Sequence, residues 1–189
     1  GKKDYWARGN GWVLAGLAKV LQDLPKTNAH YAFFVNKFQV LAKAVAGCQQ
    51  PEGYWTRSMV DPSQAPGPET SGTALFTYGL LWGINNGLLS ETDYLPTVSK
   101  AWSYLTTTAL QPDGQIGYVQ PIGDRAIPSQ TVDEHSHADF GVGAFLLAGS
   151  EYYRWLDAAL KGHRQVTVTI ANSASRTRQQ VVEVDAAAL

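Results

Sequence analysis

The chain has 189 residues, of which 16% are charged and 11% aromatic, and its formal net charge is −1. That length allows one substantial core, or one domain with an appendage. A near-neutral chain without a basic block excludes nucleic acid as a natural partner, the single Cys48 excludes an internal disulfide and a multi-thiolate metal site, and no apolar run reaches the roughly 18 residues of a membrane span.

The first element opens on Trp6-Ala7-Arg8-Gly9-Asn10-Gly11-Trp12, directly ahead of the apolar run Val13 to Leu21. Indole faces stack on sugar rings, an arginine fork binds a carboxylate through two parallel hydrogen bonds, and glycines at a helix start let a ligand approach the backbone. The plainer alternative makes both Trp core residues and Arg8 a surface charge, but core stretches seldom need Arg, Asn and two Gly in one turn. The spacing predicts a helix over about 8–23, stopped by Pro25. Asn28 then caps a second helix with apolar residues at Tyr31, Phe34, Val35, Phe38, Leu41, Ala42 and Val45, a 3.6-residue stripe ended by Gly47.

A third helix is expected over about 71–86, apolar nearly all round and therefore buried, and closed by Asn86-Gly87. A fourth should start near Asp93 with Pro96 in its first turn, burying Leu95, Val98, Trp102, Leu105 and Ala109. A fifth should run over about 140–160, its first half again apolar on every side.

An internal repeat links these elements. Gln50-Pro51-Glu52-Gly53 returns 61 residues later as Gln111-Pro112-Asp113-Gly114, each copy after an amphipathic helix and before a Gly-rich apolar one. Two helices per period of this size describe a ring of helical hairpins, with the apolar helices as inner wall and the Gln-Pro-acid-Gly turns at the end where those helices begin. The fold class is thus all-α: about three hairpins over 1–162, with 163–189 as the start of an accessory β-domain. Alternation in Gln165 to Ile170 and in Val182 to Val184 suggests a short hairpin there, marginal without a partner.

Three motifs resemble the unsaturated rhamnogalacturonyl hydrolases, and more distantly the unsaturated glucuronyl hydrolases: Trp6 to Trp12, Pro68-Glu69-Thr70-Ser71-Gly72-Thr73-Ala74, and Gly143 to Glu151. The resemblance covers about Tyr5 to Tyr153. It implies an (α/α)6 toroid of six hairpins, of which this chain would supply the C-terminal half. It also implies removal of an unsaturated uronic acid from a rhamnogalacturonan-type oligosaccharide. A carboxylic acid would protonate C4, water would add at C5, and the hemiketal would collapse to release the neighbouring sugar; the two-carboxylate separation rule of ordinary glycosidases does not apply. The family's Asp lies upstream of the Trp-Ala-Arg-Gly motif. Nothing here matches it, Asp4 being merely the nearest acid, so no catalytic residue is assigned and this chain alone is expected to be inactive.

The substrate contacts carried over are Trp6 and Trp12 as ring platforms, Arg8 as partner of the sugar acid, and Asn10 as a hydroxyl contact or helix cap. Glu69 and Ser71 open the third helix, where an acid followed by hydroxyls is a good cap, although a ring position matching Arg8 would aim them at the pocket. His137, in Asp133-Glu134-His135-Ser136-His137-Ala138-Asp139, is placed at the pocket rim, with Asp139 capping the fifth helix; a lone His-x-His is a weak zinc signal, and no metal or cofactor is expected. Gln49 to Trp55 fits the Gln-x3-Gly-x-Trp pattern of triterpene cyclases, where it ties helix ends together; no Asp-rich ionisation motif accompanies it, so it reads as structural.

Two functions from different classes remain: a piece of an unsaturated uronyl hydrolase, or a non-catalytic carbohydrate-binding or scaffolding half-toroid. The expected partner is an unsaturated uronic-acid oligosaccharide. Cutting a ring exposes two apolar edges, so the missing N-terminal half of the toroid or self-association is expected to cover them, unless the chain is a remnant of a larger molecule.

Overall fold

The computed structural model describes residues 5–161. Within them lie five α-helices: α1 (Ala7–Asp23), α2 (Tyr31–Ala46), α3 (Thr70–Asn85), α4 (Glu91–Tyr104) and α5 (Asp139–Lys161), with a π-helical turn, Leu105–Ala109, continuing α4. The only strand-like pairings among the described residues are two single bridges, Trp6 with Ser58 and Leu110 with Ile116. The expected β-hairpin lies outside the described residues.

Helix α3 is the centre. Its residues Thr70 to Gly83 are buried without a break, as its all-round apolar sequence requires. Helices α1 and α5 flank it, and α1 runs parallel to it: Gly11 faces Leu75, and Gly79 faces Leu14. The outer helices run the other way. Phe38 of α2 meets Trp82 edge-to-face at 5.5 Å, and Tyr104 at the end of α4 reaches Thr70 at the start of α3, hydroxyl to hydroxyl at 2.7 Å. Burial holds that phenol well above the ordinary tyrosine range. Leu14, Leu75, Leu80 and Leu81 are wholly buried, each contributing about 1.5–3 kcal/mol of transfer free energy.

Two boundaries differ from the expectation for local reasons. Helix α4 starts at Glu91, because Ser90 Oγ accepts from the Asp93 amide at 3.3 Å and Glu91 and Asp93 put negative charge in its first turn. Pro96 therefore sits in the second turn, inside the helix. Helix α2 starts at Tyr31, three residues after Asn28, whose carboxamide instead accepts from the His30 amide at 2.9 Å.

The Gln-Pro-acid-Gly repeat is a repeat of backbone geometry. In the first copy the Gln50 amide donates to the Tyr54 carbonyl and the Gly53 amide to Gln50; in the second, Gln111 donates to Gln115 and Gly114 to Gln111. Gly53 and Gly114 both take left-handed φ, +97° and +87°. Gln49 Nε2 donates to the carbonyls of Gly53 and Thr97, and Trp55 Nε1 to that of Val45, while the Trp55 ring packs on Phe76 at 5.1 Å. The Gln-x3-Gly-x-Trp loop thus ties the end of α2 to α4 and α3.

Burial of α5 falls short of the expectation. Val142 and Leu146, in its first half, are 41% and 64% exposed, with Tyr153 and Leu160 continuing the stripe. Helix α1 likewise leaves Trp12, Val13 and Val20 exposed. Among the described residues each flanking helix has α3 on one side only, so one apolar face of each stays open.

Candidate active site

The opening motif builds a polar knot where the inner helices begin. Arg8 is buried, with a relative exposure of 3%. Its Nη1 donates to the Gln120 carbonyl and, at 3.4 Å, to Ser71 Oγ; its Nη2 donates to the Pro121 carbonyl at 2.8 Å. The guanidinium lies 4.8 Å from the Trp6 ring centroid and 4.5 Å from that of Phe140, at the start of α5. Glu69 Oε1 stands 3.8 Å from Nη1. Burial lowers the Arg8 pKa and the Glu69 charge opposes that shift; a guanidinium stays protonated regardless.

Glu69 is itself fully buried and caps α3. Its carboxylate accepts from the amides of Ser71 and Gly72, from Ser71 Oγ at 2.7 Å, and from the Gln120 amide at 3.2 Å. A second buried cation, Arg57, donates through Nη1 to the carbonyls of Ile127 and Gln130, both at 2.9 Å; burial lowers its pKa and Glu69 again opposes the shift. Of the two buried guanidinium groups at this end of the helices, Arg8 pairs with the buried carboxylate of Glu69 and Arg57 is held by backbone carbonyls.

Three of the expected contact residues are turned into the protein. Glu69 and Ser71 are wholly buried, and the fork of Arg8 donates to two of the protein's own carbonyls. Three glycines here have packing roles. A Cβ on Gly11 would press on Leu75, one on Gly72 on the backbone of Ala7, and one on Gly9 on the Trp6 ring, so they serve close helix packing and the indole's seat. Trp6 is half-buried, Trp12 is 49% exposed one turn beyond Arg8, and Asn10 Nδ2 donates to the Trp6 carbonyl at 2.9 Å. His137 is exposed. Its loop is held by Asp133, whose carboxylate accepts from Ser136 Oγ and the His135 amide, hydrogen bonds that lower its pKa. Asp139 is the first residue of α5.

Sequence reading missed Gln120 and Arg57. Each lies in a loop, and neither periodicity nor motif marks it. Among the described residues, surface clefts of about 430 and 340 Å³ lie along α4 and beside Leu24, Pro25 and Trp82, and the opening motif is not among the residues that line them. No group of three or more His, Cys, Asp or Glu able to hold a metal occurs among the described residues.

The described residues thus form a parallel inner row of helices with backing outer helices, carrying aromatic and cationic side chains at its N-terminal end. The chain belongs to Glycosyl Hydrolase Family 88, whose model matches residues 1–156. Over 150 residues it is 43% identical to an unsaturated 3S-rhamnoglycuronyl hydrolase of Formosa agariphila, covering 79% of this chain and 39% of that protein. It is similar to the solved structure of a glycosyl hydrolase family 88 protein from Bacteroides vulgatus, with 62% identity and a TM-score of 0.79 over 82% of this chain and 44% of that one. A possible member of the GH105 family from Salmonella enterica matches at 25% identity and a TM-score of 0.70, covering 80% of this chain and 40% of that one. The chain thus spans about two fifths of the length of the curated relative.

Proposed function

We propose that this chain carries the C-terminal half of an (α/α)6 toroid, over 1–162. The whole removes an unsaturated uronic acid from a rhamnogalacturonan-type oligosaccharide. The observation that carries this reading is the indole pair Trp6 and Trp12 set against a buried excess of positive charge, Arg8 and Arg57 against Glu69. Stacking takes the sugar ring, and the field of the buried guanidinium groups favours its carboxylate without a direct fork. Asn10 and His137 supply polar contacts at the rim, while Arg8, Glu69 and Ser71 form the frame.

The reaction adds a proton to C4 and water to C5, and the resulting hemiketal opens to free the neighbouring sugar's hydroxyl. Glu69 cannot be the acid: it is buried and its carboxylate already accepts four hydrogen bonds. The proton donor belongs to another part of the ring. Mixing the complete protein with an unsaturated rhamnogalacturonan disaccharide should abolish the ultraviolet absorbance of the conjugated double bond. Persistent absorbance would leave the non-catalytic sugar-binding reading in its place.

The open faces of α1 and α5, with Val13 and Val20 on one and Val142, Leu146, Tyr153 and Leu160 on the other, are the ring edges. Further hairpins or a second copy cover them. Light scattering of the isolated chain should show association; a monodisperse monomer would contradict the edge assignment.

A further inference from the structure

Gln120 stands outside every motif, yet its side chain and backbone together meet Trp6, Arg8 and Glu69 of the knot. Its Oε1 accepts from Trp6 Nε1 at 2.8 Å. Its Nε2 donates to the Arg125 carbonyl at 2.8 Å, the Ala126 carbonyl at 3.2 Å and Gln130 Oε1 at 2.6 Å. Its backbone amide donates to Glu69 and its carbonyl accepts from Arg8. The residue is fully buried. An indole N–H can only donate and a backbone carbonyl can only accept, so the carboxamide has one permitted orientation, with oxygen toward Trp6. Arg8 meanwhile lies over the Trp6 ring, and Gly9 leaves room for it. The indole is pinned by its edge and by one face.

We infer that Gln120 is a positioning residue: its carboxamide holds the Trp6 indole in the plane on which the uronic ring stacks, and so helps set substrate affinity from a loop 114 residues away. This rests on the hydrolase reading above. A wrongly turned indole offers an edge where the sugar needs a face, which weakens binding and leaves the chemistry of the bound sugar alone.

The test is a double-mutant cycle in the complete enzyme, with unsaturated rhamnogalacturonan disaccharide as substrate. Gln120→Met removes the acceptor at similar length; Trp6→Phe keeps an aromatic face and removes the N–H. Each should raise KM about five- to tenfold, the size of one lost buried hydrogen bond, with kcat within about twofold. The double variant should be no worse than the poorer single. Independent effects that multiply in the double variant would overturn the inference, as would a wild-type KM in Trp6→Phe. If Gln120→Met fails to fold by circular dichroism, Gln120→Asn, whose shorter side chain withdraws the acceptor from Trp6, takes its place in the cycle with the same expected and overturning results. A wild-type protein without turnover would overturn the hydrolase reading first, and this inference with it.

Discussion

Replacing Arg8 with Met should lower the unfolding free energy by about 3–5 kcal/mol, the cost of leaving a buried charge and its acceptors unpartnered. Glu69 would keep its cap to α3 but lose a facing cation, the Gln120 carbonyl would be buried without its donor, and the more exposed Pro121 carbonyl would lose one hydrogen bond. Such a loss is a large fraction of a domain's stability. Arg8→Lys should recover little, since one ammonium cannot reach two successive carbonyls and lie flat over two rings. The measurement is the urea midpoint at unchanged m-value. A loss below about 1 kcal/mol would mean that the fork is free and the sequence expectation of a ligand-facing arginine was right after all.

Alanine at the two repeat glycines should behave differently although their turns share the same hydrogen bonds. Both positions have positive φ, which costs a non-glycine residue about 1–2 kcal/mol. At Gly114 nothing lies within 4 Å of an added Cβ, so Gly114→Ala should stop at that figure. At Gly53 the Cβ would collide with the carbonyl of Lys100 in α4, which is backbone and cannot swing away. Gly53→Ala should therefore lose about 3 kcal/mol or more. Equal thermal shifts in the two variants would refute the close approach of this turn to α4.

Much of the architecture was legible beforehand. Helix α3 announced its burial by being apolar on all sides, α2 its half-exposure by its stripe, and the Gln-Pro-acid-Gly turns their equivalence by composition. These signals are short-range, set by helical and turn geometry within a few residues. Helix α4 begins two residues ahead of Asp93, because the Ser90 cap sets its start and Pro96 is accommodated inside the helix. The open face of α5 could not be read from its sequence. An apolar side chain looks the same whether its neighbour is present or not.

The site divides along the same line. The amino-acid order by itself located the aromatic, cationic opening motif, the acid-hydroxyl cap of α3 and the family to which the chain belongs. Only the tertiary structure decided what Arg8 does. Its acceptors lie 112 and 113 positions further along the chain, on a loop with no periodicity, and a charge removed from water takes whatever partners the fold brings nearest. The same long-range closure turned Glu69 and Ser71 from pocket candidates into framework and brought Gln120 and Arg57 into the knot.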